Sequence, residues 1–568
     1  MTEHQQSDQL RFAFLDVLRQ GYSRQQFRGD LMAGITVGIV AVPLCMALAI
    51  ASGVPPQHGL YTSIITGVVI ALFGGSRINI SGPTAAFVVL LLPIVHEYGV
   101  GGLMIATMMA GLILLVMGLA RMGRLIQYIP YPVFTGFTAG IGVVIATLQI
   151  KDFLGLTVTG TSDHFIEKAA LVFQAVPTVQ WNDALIGIVT LAILIGWNRL
   201  KTAVPGHLVA LIAGSLLALV LQATVPGFDV ATIGSKFQYT IDGQTGQGIP
   251  AVAPTFALPW HWLGEDQTLS WSLIQALIGP AFAIAMLGAI ESLLCAVVAD
   301  GLAGMRHNPN GELVGQGLGN LIAPLFGGIT ATAAIARTAT NVRSGGTTPV
   351  ASLIHAGVVL LAVIALADYM SAIPMASLAA LLLVVAWNMS EAKHFVHIVK
   401  VAPRSDVAVL LTCFSLTVLM DMVVAVGVGV VMAALLFMRR MVELTEVELI
   451  GSEEHAALEG LPPHTVAYGI SGPMFFGAAE KAISVLHRYR KDVKNVIIDM
   501  QDVPMMDMTA LVAFETALDT LRADGKRIIL CRAVPRLVSK LQRAGVEEVP
   551  GKLDYCDTLE CARRKLAE

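Results

Sequence analysis

The sequence predicts a polytopic α-helical membrane protein followed by a soluble α/β domain, and three observations carry that expectation. Hydrophobic residues make up 55% of the 568 residues and charged residues only 13%, whereas soluble domains hold about a quarter charged residues. The charges gather in residues 1–30 and 439–568, leaving long apolar runs broken by short polar clusters between them. Beyond residue 463 the pattern turns into short β-type runs alternating with helical ones, the signature of a small sheet covered by helices. The expected division is a polar N-terminal segment (1–30), a membrane domain (31–438), a linker (439–462) and the soluble domain (463–568).

Several function classes are excluded at this point. A formal net charge of -4 offers no basic footprint for nucleic acid. The six cysteines, Cys45, Cys295, Cys413, Cys531, Cys556 and Cys561, lack metal-ligand spacing, and three lie in apolar stretches as small buried hydrophobes would. No metal and no cofactor are expected. Neither GxxxxGK nor GxGxxG occurs, so neither an enzyme nor a nucleotide-driven pump is supported. The N-terminus lacks a signal-peptide layout, so the first span is expected to stay in the protein.

In chain order, the apolar run Leu31 to Ser52 is long enough to cross a hydrocarbon core of about 30 Å at about 1.5 Å per residue. Pro43 within it is expected to kink or break it. A second span covers Gly59 to Phe73. The next run, Ile80 to Pro93, is too short to cross and opens on Ser81-Gly82-Pro83-Thr84. Pro83 suits a first helical turn, where its missing N–H costs nothing, so this segment reads as half a helix. Spans follow at Gly101–Leu119, Pro130–Gln149, Asp183–Trp197 and His207–Leu219, then a long loop whose Thr232-to-Gly243 part suits a hairpin. The second half holds Ser272–Val298, Glu312–Phe326, the small-residue stretch Gly327 to Arg343, Val350–Ala367, Ile373–Trp387, Val407–Leu419 and Met422–Phe437.

Counting the short segments as crossings gives fourteen, and with the N-terminus inside, five basic clusters (Arg121/Arg124, Arg199/Lys201, Arg306, Lys393/Lys400/Arg404 and Arg439/Arg440) all fall on the cytoplasmic side. Both termini are therefore expected on the cytoplasmic side.

Fourteen segments contain an internal duplication. Leu72-Phe73-Gly74-Gly75 closes the second segment and Leu325-Phe326-Gly327-Gly328 the ninth, and each precedes a small-residue segment with Thr-Ala-Ala, Thr84–Ala86 and Thr332–Ala334. Seven segments per repeat, an odd number, inverts the second copy. The third and tenth segments then begin as non-helical backbone and turn helical near the midplane, with their N-termini facing each other. Unpaired N–H groups and two helix dipoles converge there, as in discontinuous helices that build ion sites in secondary transporters. The bland alternative is that Gly, Ala and Thr here only permit close helix packing.

Two charges lie inside the membrane region. Arg337, about one turn into the tenth segment, calls for a partner or a bound anion. Glu291, in the eighth segment, can bind a proton during transport, pair with Arg337, or coordinate sodium; Cys295 and Ile335 nearby offer no hard oxygen for sodium. Asp300, Asn320, Asn341 and Arg343 read as boundary groups, and His96, His355 and Trp387 as packing residues. In the soluble domain, Thr465–Ile470, Asn495–Met500 and Arg527–Cys531 read as strands, Ala478–Tyr489 and Thr509–Leu521 as helices. Residues 499–509 form a loop at a strand end, where α/β folds keep their working surfaces.

These strings resemble the SulP (SLC26-related) anion transporter family, with a C-terminal STAS domain similar to anti-sigma-factor antagonists, over essentially the whole chain. Gly34-Ile35-Thr36-Val37-Gly38-Ile39, Ser81 to Val89, Met286 to Val298 and Ala386 to Ala392 look like its DauA-type branch of C4-dicarboxylate transporters. The resemblance implies a core domain (segments 1–4 and 8–11) moving against a gate domain (5–7 and 12–14), usually in a homodimer. It implies a site at Thr84, Ala85 and Ala86, the stretch Thr332, Ala333, Ala334, Ile335 and Arg337, Glu291, and the bend around Val42, Pro43 and Cys45. Sodium-coupled bicarbonate members place hydroxyls where this chain has Cys295 and Ile335, which sets proton coupling ahead of sodium. The substrates implied are succinate, fumarate or aspartate, with bicarbonate or sulfate as the alternative. Asp507-Met508-Thr509-Ala510-Leu511 resembles the phosphorylatable STAS loop with Thr509 at the acceptor place, although a hydroxyl at a helix start is also explained by capping. A soluble partner of the STAS domain is a further expectation.

Overall fold

The computed structural model describes residues 10–567 apart from 125–129, 161–164, 198, 201–203, 242–243, 265–267, 421, 444, 451–460 and 476–492. It divides into two compact units, Met1–Val430 and Val431–Glu568.

The first unit opens with a short amphipathic helix α1 (Ala13–Gln20) and the first span α2 (Arg24–Ala51). α2 starts where Ser23 and Gln26 cap each other's backbone amides, which satisfies two otherwise orphaned donors. Of the kink or break expected at Pro43, the break does not occur, since α2 continues through it to Ala51. The residues around Pro43 are buried, α2 packing against α3 (Pro56–Phe73) and α13 (Val350–Ser371).

The third segment begins with the two-residue strand β1 (Ser81–Gly82) and continues as α4 (Ala85–Leu119), which holds the third and fourth segments together. A break at Gly99 (φ 68, ψ -175) separates them, a conformation open to glycine and closed to most side chains. Then follow α5 (Tyr131–Phe153), α6 (Phe165–Gln174), α7 (Trp181–Trp197), α8 (Gly206–Thr224), the single turn α9 (Ile233–Lys236) and the hairpin β2 (Gln238–Ile241) with β3 (Gln244–Gln247). The hairpin lies a few residues later than expected, since Thr232 caps α9 instead of starting a strand.

The second repeat holds α10 (Trp271–Ala303), α11 (Pro309–Ile322), β4 (Thr332–Ala333), α12 (Ile335–Arg343), α13 (Val350–Ser371), α14 (Met375–Ser390), α15 (Ala392–Val401), α16 (Arg404–Leu419) and α17 (Met422–Glu443). With α4 counted twice and the short α1, α6, α9 and α15 set aside, the segments number fourteen, as a 7+7 inverted repeat requires. The stretch between the twelfth and thirteenth segments, expected as a loop, is the helix α15.

Two groups of helices pack mainly among themselves, with α8 and α14 of one also meeting α2 of the other. The core domain gathers α2, α3, α4, α10, α11, α12 and α13, and the gate domain gathers α5, α7, α8, α14 and α16. Inside the core domain, α4 and α11 approach backbone to backbone: a Cβ on Gly111 would lie 2.8 Å from the Gly317 carbonyl oxygen, and one on Gly317 2.8 Å from that of Gly111. Small residues allow this contact where no hydrophobic effect drives helices together.

The second unit carries a sheet of order β5-β6-β7-β8-β9, with β5 (Glu446–Leu449), β6 (Thr465–Ser471), β7 (Asn495–Asp502), β8 (Arg527–Cys531) and β9 (Leu553–Cys556). β5 pairs antiparallel to β6 and the rest are parallel. β5 falls within the expected linker 439–462, so part of that linker belongs to the sheet. Along β7 the side chains alternate: Val496, Ile498 and Met500 pack with α18 (Met508–Ala523) and α19 (Pro535–Arg543), while Ile497 packs with α20 (Leu559–Ala567). Both faces are covered, as parallel strands need. The helix expected at Ala478–Tyr489 lies outside the described residues.

Candidate functional site

The two non-helical lead-ins cross and pair. Ser81 faces Ala333 and Gly82 faces Thr332 in an antiparallel ladder, extended by Ala334 N–H donating to Ile80 O (2.9 Å) and Ile80 N–H to Thr338 Oγ1 (3.0 Å). Polar backbone at membrane depth is thereby satisfied within the protein. α4 starts at Ala85 and α12 at Ile335, directly after the crossing.

Neither helix start is closed by its own N-cap side chain. The residue before α12 is alanine, and the residue before α4, Thr84, donates its hydroxyl to Glu291 Oε2 instead (2.8 Å). First-turn amides have no intrahelical acceptor, so both starts present N–H groups and the positive ends of two dipoles. Accessibility rises along the start of α12: Thr332 and Ala333 are fully buried, Ala334 and Ile335 half-buried, and Ala336 exposed. Thr84, Ala85 and Ala86 are buried, with Glu291 half-buried beside them.

Arg337 is only 3% exposed. Its Nη2 donates to Pro83 O (2.6 Å), and Nη1 lies 3.6 Å from Cys45 Sγ. The guanidinium thus reaches from α12 across to the lead-in of α4, lying against Gly82, where a Cβ would stand 2.6 Å from Nη1. It adds fixed positive charge between the two helix starts. Thr332 has its hydroxyl engaged by the Gly288 carbonyl (3.1 Å), so it braces the crossing against α10. Pro43 is buried in α2, two residues before the cysteine that meets Arg337. Thr84, Glu291, Pro83, Arg337 and Cys45 are therefore brought together from four segments.

Sequence reading gave no role to Glu312, which is fully buried. Its Oε2 accepts from the backbone N–H of Gly75 (3.1 Å) and Ser76 (2.9 Å), and Oε1 from Asn79 Nδ2 (2.9 Å) and Ser292 Oγ (3.1 Å). One carboxylate thus fixes the loop leading into β1 to α10 and α11. Asn320, read as a boundary group, accepts from Ala331 N–H (2.8 Å) and donates to Ala331 O (2.9 Å), doing the same for the lead-in to β4. The available signal was Glu312, Gln316 and Asn320 at steps of four on one helical face of an apolar span. Asn341, also read as a boundary group, donates to Ile78 O (2.8 Å) and ties α12 to the same lead-in.

In the second unit Thr509 is exposed at the second position of α18. Its hydroxyl is not the cap: Asp507 Oδ1 accepts from Ala510 N–H (2.7 Å), so the capping explanation for Thr509 is withdrawn.

Paired lead-ins and opposed, uncapped helix starts inside a helical bundle are the arrangement of a membrane anion transporter. The comparisons give its family. Residues 27–415 match the sulfate permease family and residues 456–561 the STAS domain. The chain belongs to the sulfate permease (SulP/SLC26) family, whose members are transporters and not enzymes. It is 39% identical to "Putative sulfate transporter YvdB" of Bacillus subtilis (strain 168), over 95% of this chain and 97% of that protein. It is 31% identical to the bicarbonate transporter BicA of Synechocystis sp. (strain ATCC 27184 / PCC 6803 / Kazusa), covering 95% and 94%. Among solved structures, that of SLC26A9 superposes with a TM-score of 0.82 at 16% identity, covering 97% of this chain and 92% of that one. The transmembrane domain of a cyanobacterial BicA gives a TM-score of 0.58 at 29% identity, covering 73% and 98%.

Proposed function

We propose that this anion transporter works by alternating access as a proton-coupled importer of C4-dicarboxylates such as succinate, fumarate or aspartate, with Glu291 as the proton carrier. The observation that carries the reading is the Thr84–Glu291 hydrogen bond at the open start of α4. An ionised Glu291 sets a negative charge beside the place where an anion meets the helix amides, and a proton on it removes that repulsion. Anion and proton then favour each other's binding, which is the thermodynamic content of symport. Thr84, Ala85, Ala86, Thr332, Ala333, Ala334, Ile335 and Pro43 form or brace the anion site, and Arg337 holds the field behind it.

The resemblance of its long strings to the DauA-type branch supports a dicarboxylate. So does the carbon surface of Ile335 and Ala336, which suits the two-carbon middle of such an acid better than the remaining oxygens of sulfate. A second reading, sulfate or bicarbonate, is favoured by the names of the relatives above. We place the protein in the bacterial inner membrane as a homodimer, with both termini and the STAS domain cytoplasmic and Thr509 accessible there to phosphorylation.

The test is uptake of labelled succinate, sulfate and bicarbonate into proteoliposomes under separately imposed proton and sodium gradients. An inward proton gradient is expected to drive succinate accumulation, and Glu291→Gln to abolish that dependence while leaving exchange of substrate. Accumulation indifferent to the proton gradient, or unchanged in E291Q, defeats the coupling; sulfate or bicarbonate uptake without succinate uptake transfers the mechanism to the second reading.

A further inference from the structure

The C-terminal edge of the soluble unit's parallel sheet holds three thiols that the transport reading leaves unused. Cys531 ends β8 and Cys556 ends β9, directly opposite each other in the ladder. Cys561 stands in the first turn of α20, and its Sγ lies 2.7 Å from that of Cys556. The three differ in exposure: Cys531 and Cys556 are buried and Cys561 is half-buried. Around them Ala467, Ile497, Ile529, Leu559 and Ala562 form the apolar layer that seats α20 on the sheet.

We propose that Cys556 and Cys561 form a reversible disulfide, an oxidative modification site that fastens α20 to the end of β9. The chemistry assigns an order. Cys561, half-buried where Cys531 and Cys556 are buried, is the thiol a reagent in solvent reaches first. It attacks a small disulfide such as oxidised glutathione, forming a mixed disulfide and releasing one small thiol. Cys556 then attacks the Cys561 sulfur, forming the intramolecular bond and releasing the second small thiol. Two protein thiols are oxidised, one small disulfide is reduced to two thiols, and both protons leave with the released thiols. Burial pushes the Cys556 thiol up to about 12, which suits a resolving group that reacts only when a neighbouring sulfur is already activated. Cys531 is buried and its thiol is also raised by burial, so it is the slower competitor for Cys556.

The test treats the purified full-length protein with oxidised glutathione, then alkylates the remaining thiols and maps peptides. No Lys or Arg lies between Lys552 and Arg563, so trypsin leaves both cysteines in one peptide. Expected is a loss of two thiols, reversed by dithiothreitol, with that peptide lighter by two hydrogens and its halves still joined after cleavage before Asp557. Cys556→Ser is expected to stop at a stable glutathione adduct on Cys561, and Cys561→Ser to keep its thiols. A Cys531–Cys556 linkage, a lasting adduct on Cys561 in the unsubstituted protein, or no loss of thiols at this edge overturns the proposal.

Discussion

Replacing Glu312 tests whether the crossing of the two lead-ins is held in place or merely filled with small residues. Five donors converge on its carboxylate, two of them backbone amides of Gly75 and Ser76 and three the side chains of Asn79, Ser292 and Gln316. Glu312→Gln keeps the shape but turns one oxygen into a donor. If that oxygen is Oε2, two backbone amides lose their acceptor and cannot rotate away; if it is Oε1, Asn79 loses its acceptor, the Ser292 hydroxyl turns to accept, and Gln316 gives up a long bond (3.4 Å) but keeps the one to Ser81 Oγ (3.1 Å). The second arrangement is therefore the cheaper, and it leaves one buried donor unsatisfied at about 1–3 kcal/mol. If that energy is lost from the positioning of β1 during transport, uptake at low substrate falls about 5- to 150-fold. Glu312→Ala removes the acceptor from all five donors and is expected to lower uptake further and to reduce the yield of folded protein. Asn79→Ala removes one donor and leaves the carboxylate four, so it is the mildest of the set. The assay is the initial rate of labelled anion uptake in proteoliposomes, normalised to reconstituted protein. Uptake by E312Q and E312A equal to that of the unsubstituted chain would refute the bracing role.

Gly82→Ala places a Cβ 2.6 Å from Arg337 Nη1 at a backbone φ of +155, so strain of about 1–3 kcal/mol is expected to dislodge the guanidinium from Pro83 and raise the apparent KM at least about fivefold; unchanged kinetics refute it. Asp507→Ala removes the cap on α18, costing about 0.5–2 kcal/mol, and amide exchange in the first turn of α18 is expected to quicken roughly 2- to 30-fold. Burial pushes the Tyr555 hydroxyl, which donates to Val546 O (2.8 Å), up to about 12. Because that value is raised above the ordinary one near 10, its contribution to the soluble unit is complete below about pH 10 and lost as the pH rises towards 12. The phenolate difference spectrum between the unsubstituted protein and Tyr555→Phe is expected to rise with its midpoint near 12, and a midpoint near 10 contradicts the burial.

Much of the fold was legible because the membrane imposes simple rules. Apolar run lengths marked the spans, and a run too short to cross, opening on Ser81-Gly82-Pro83-Thr84, marked a discontinuous helix. The repeat was legible because Leu-Phe-Gly-Gly recurs before both short segments. Of the kink or break expected at Pro43, a break was not realised: one missing N–H is a local penalty, and the helices that bury α2 there include α13, distant in sequence. The capping role fell to Asp507 and not Thr509 for a local reason: the helix starts at Met508, one residue earlier than expected, with Asp507 at its N-cap.

The sequence by itself determined that this chain spans a membrane, that two of its segments are broken, and that Glu291 and Arg337 are charges held where charge is expensive. Tertiary structure alone decided what those charges meet. Arg337 faces Pro83 and Cys45, Thr84 turns from its own helix to Glu291, and Glu312 gathers five donors from three parts of the chain. Periodicity and composition act over a few turns of one helix, whereas a hydrogen bond between residues two hundred positions apart depends on how the two repeats fold against each other.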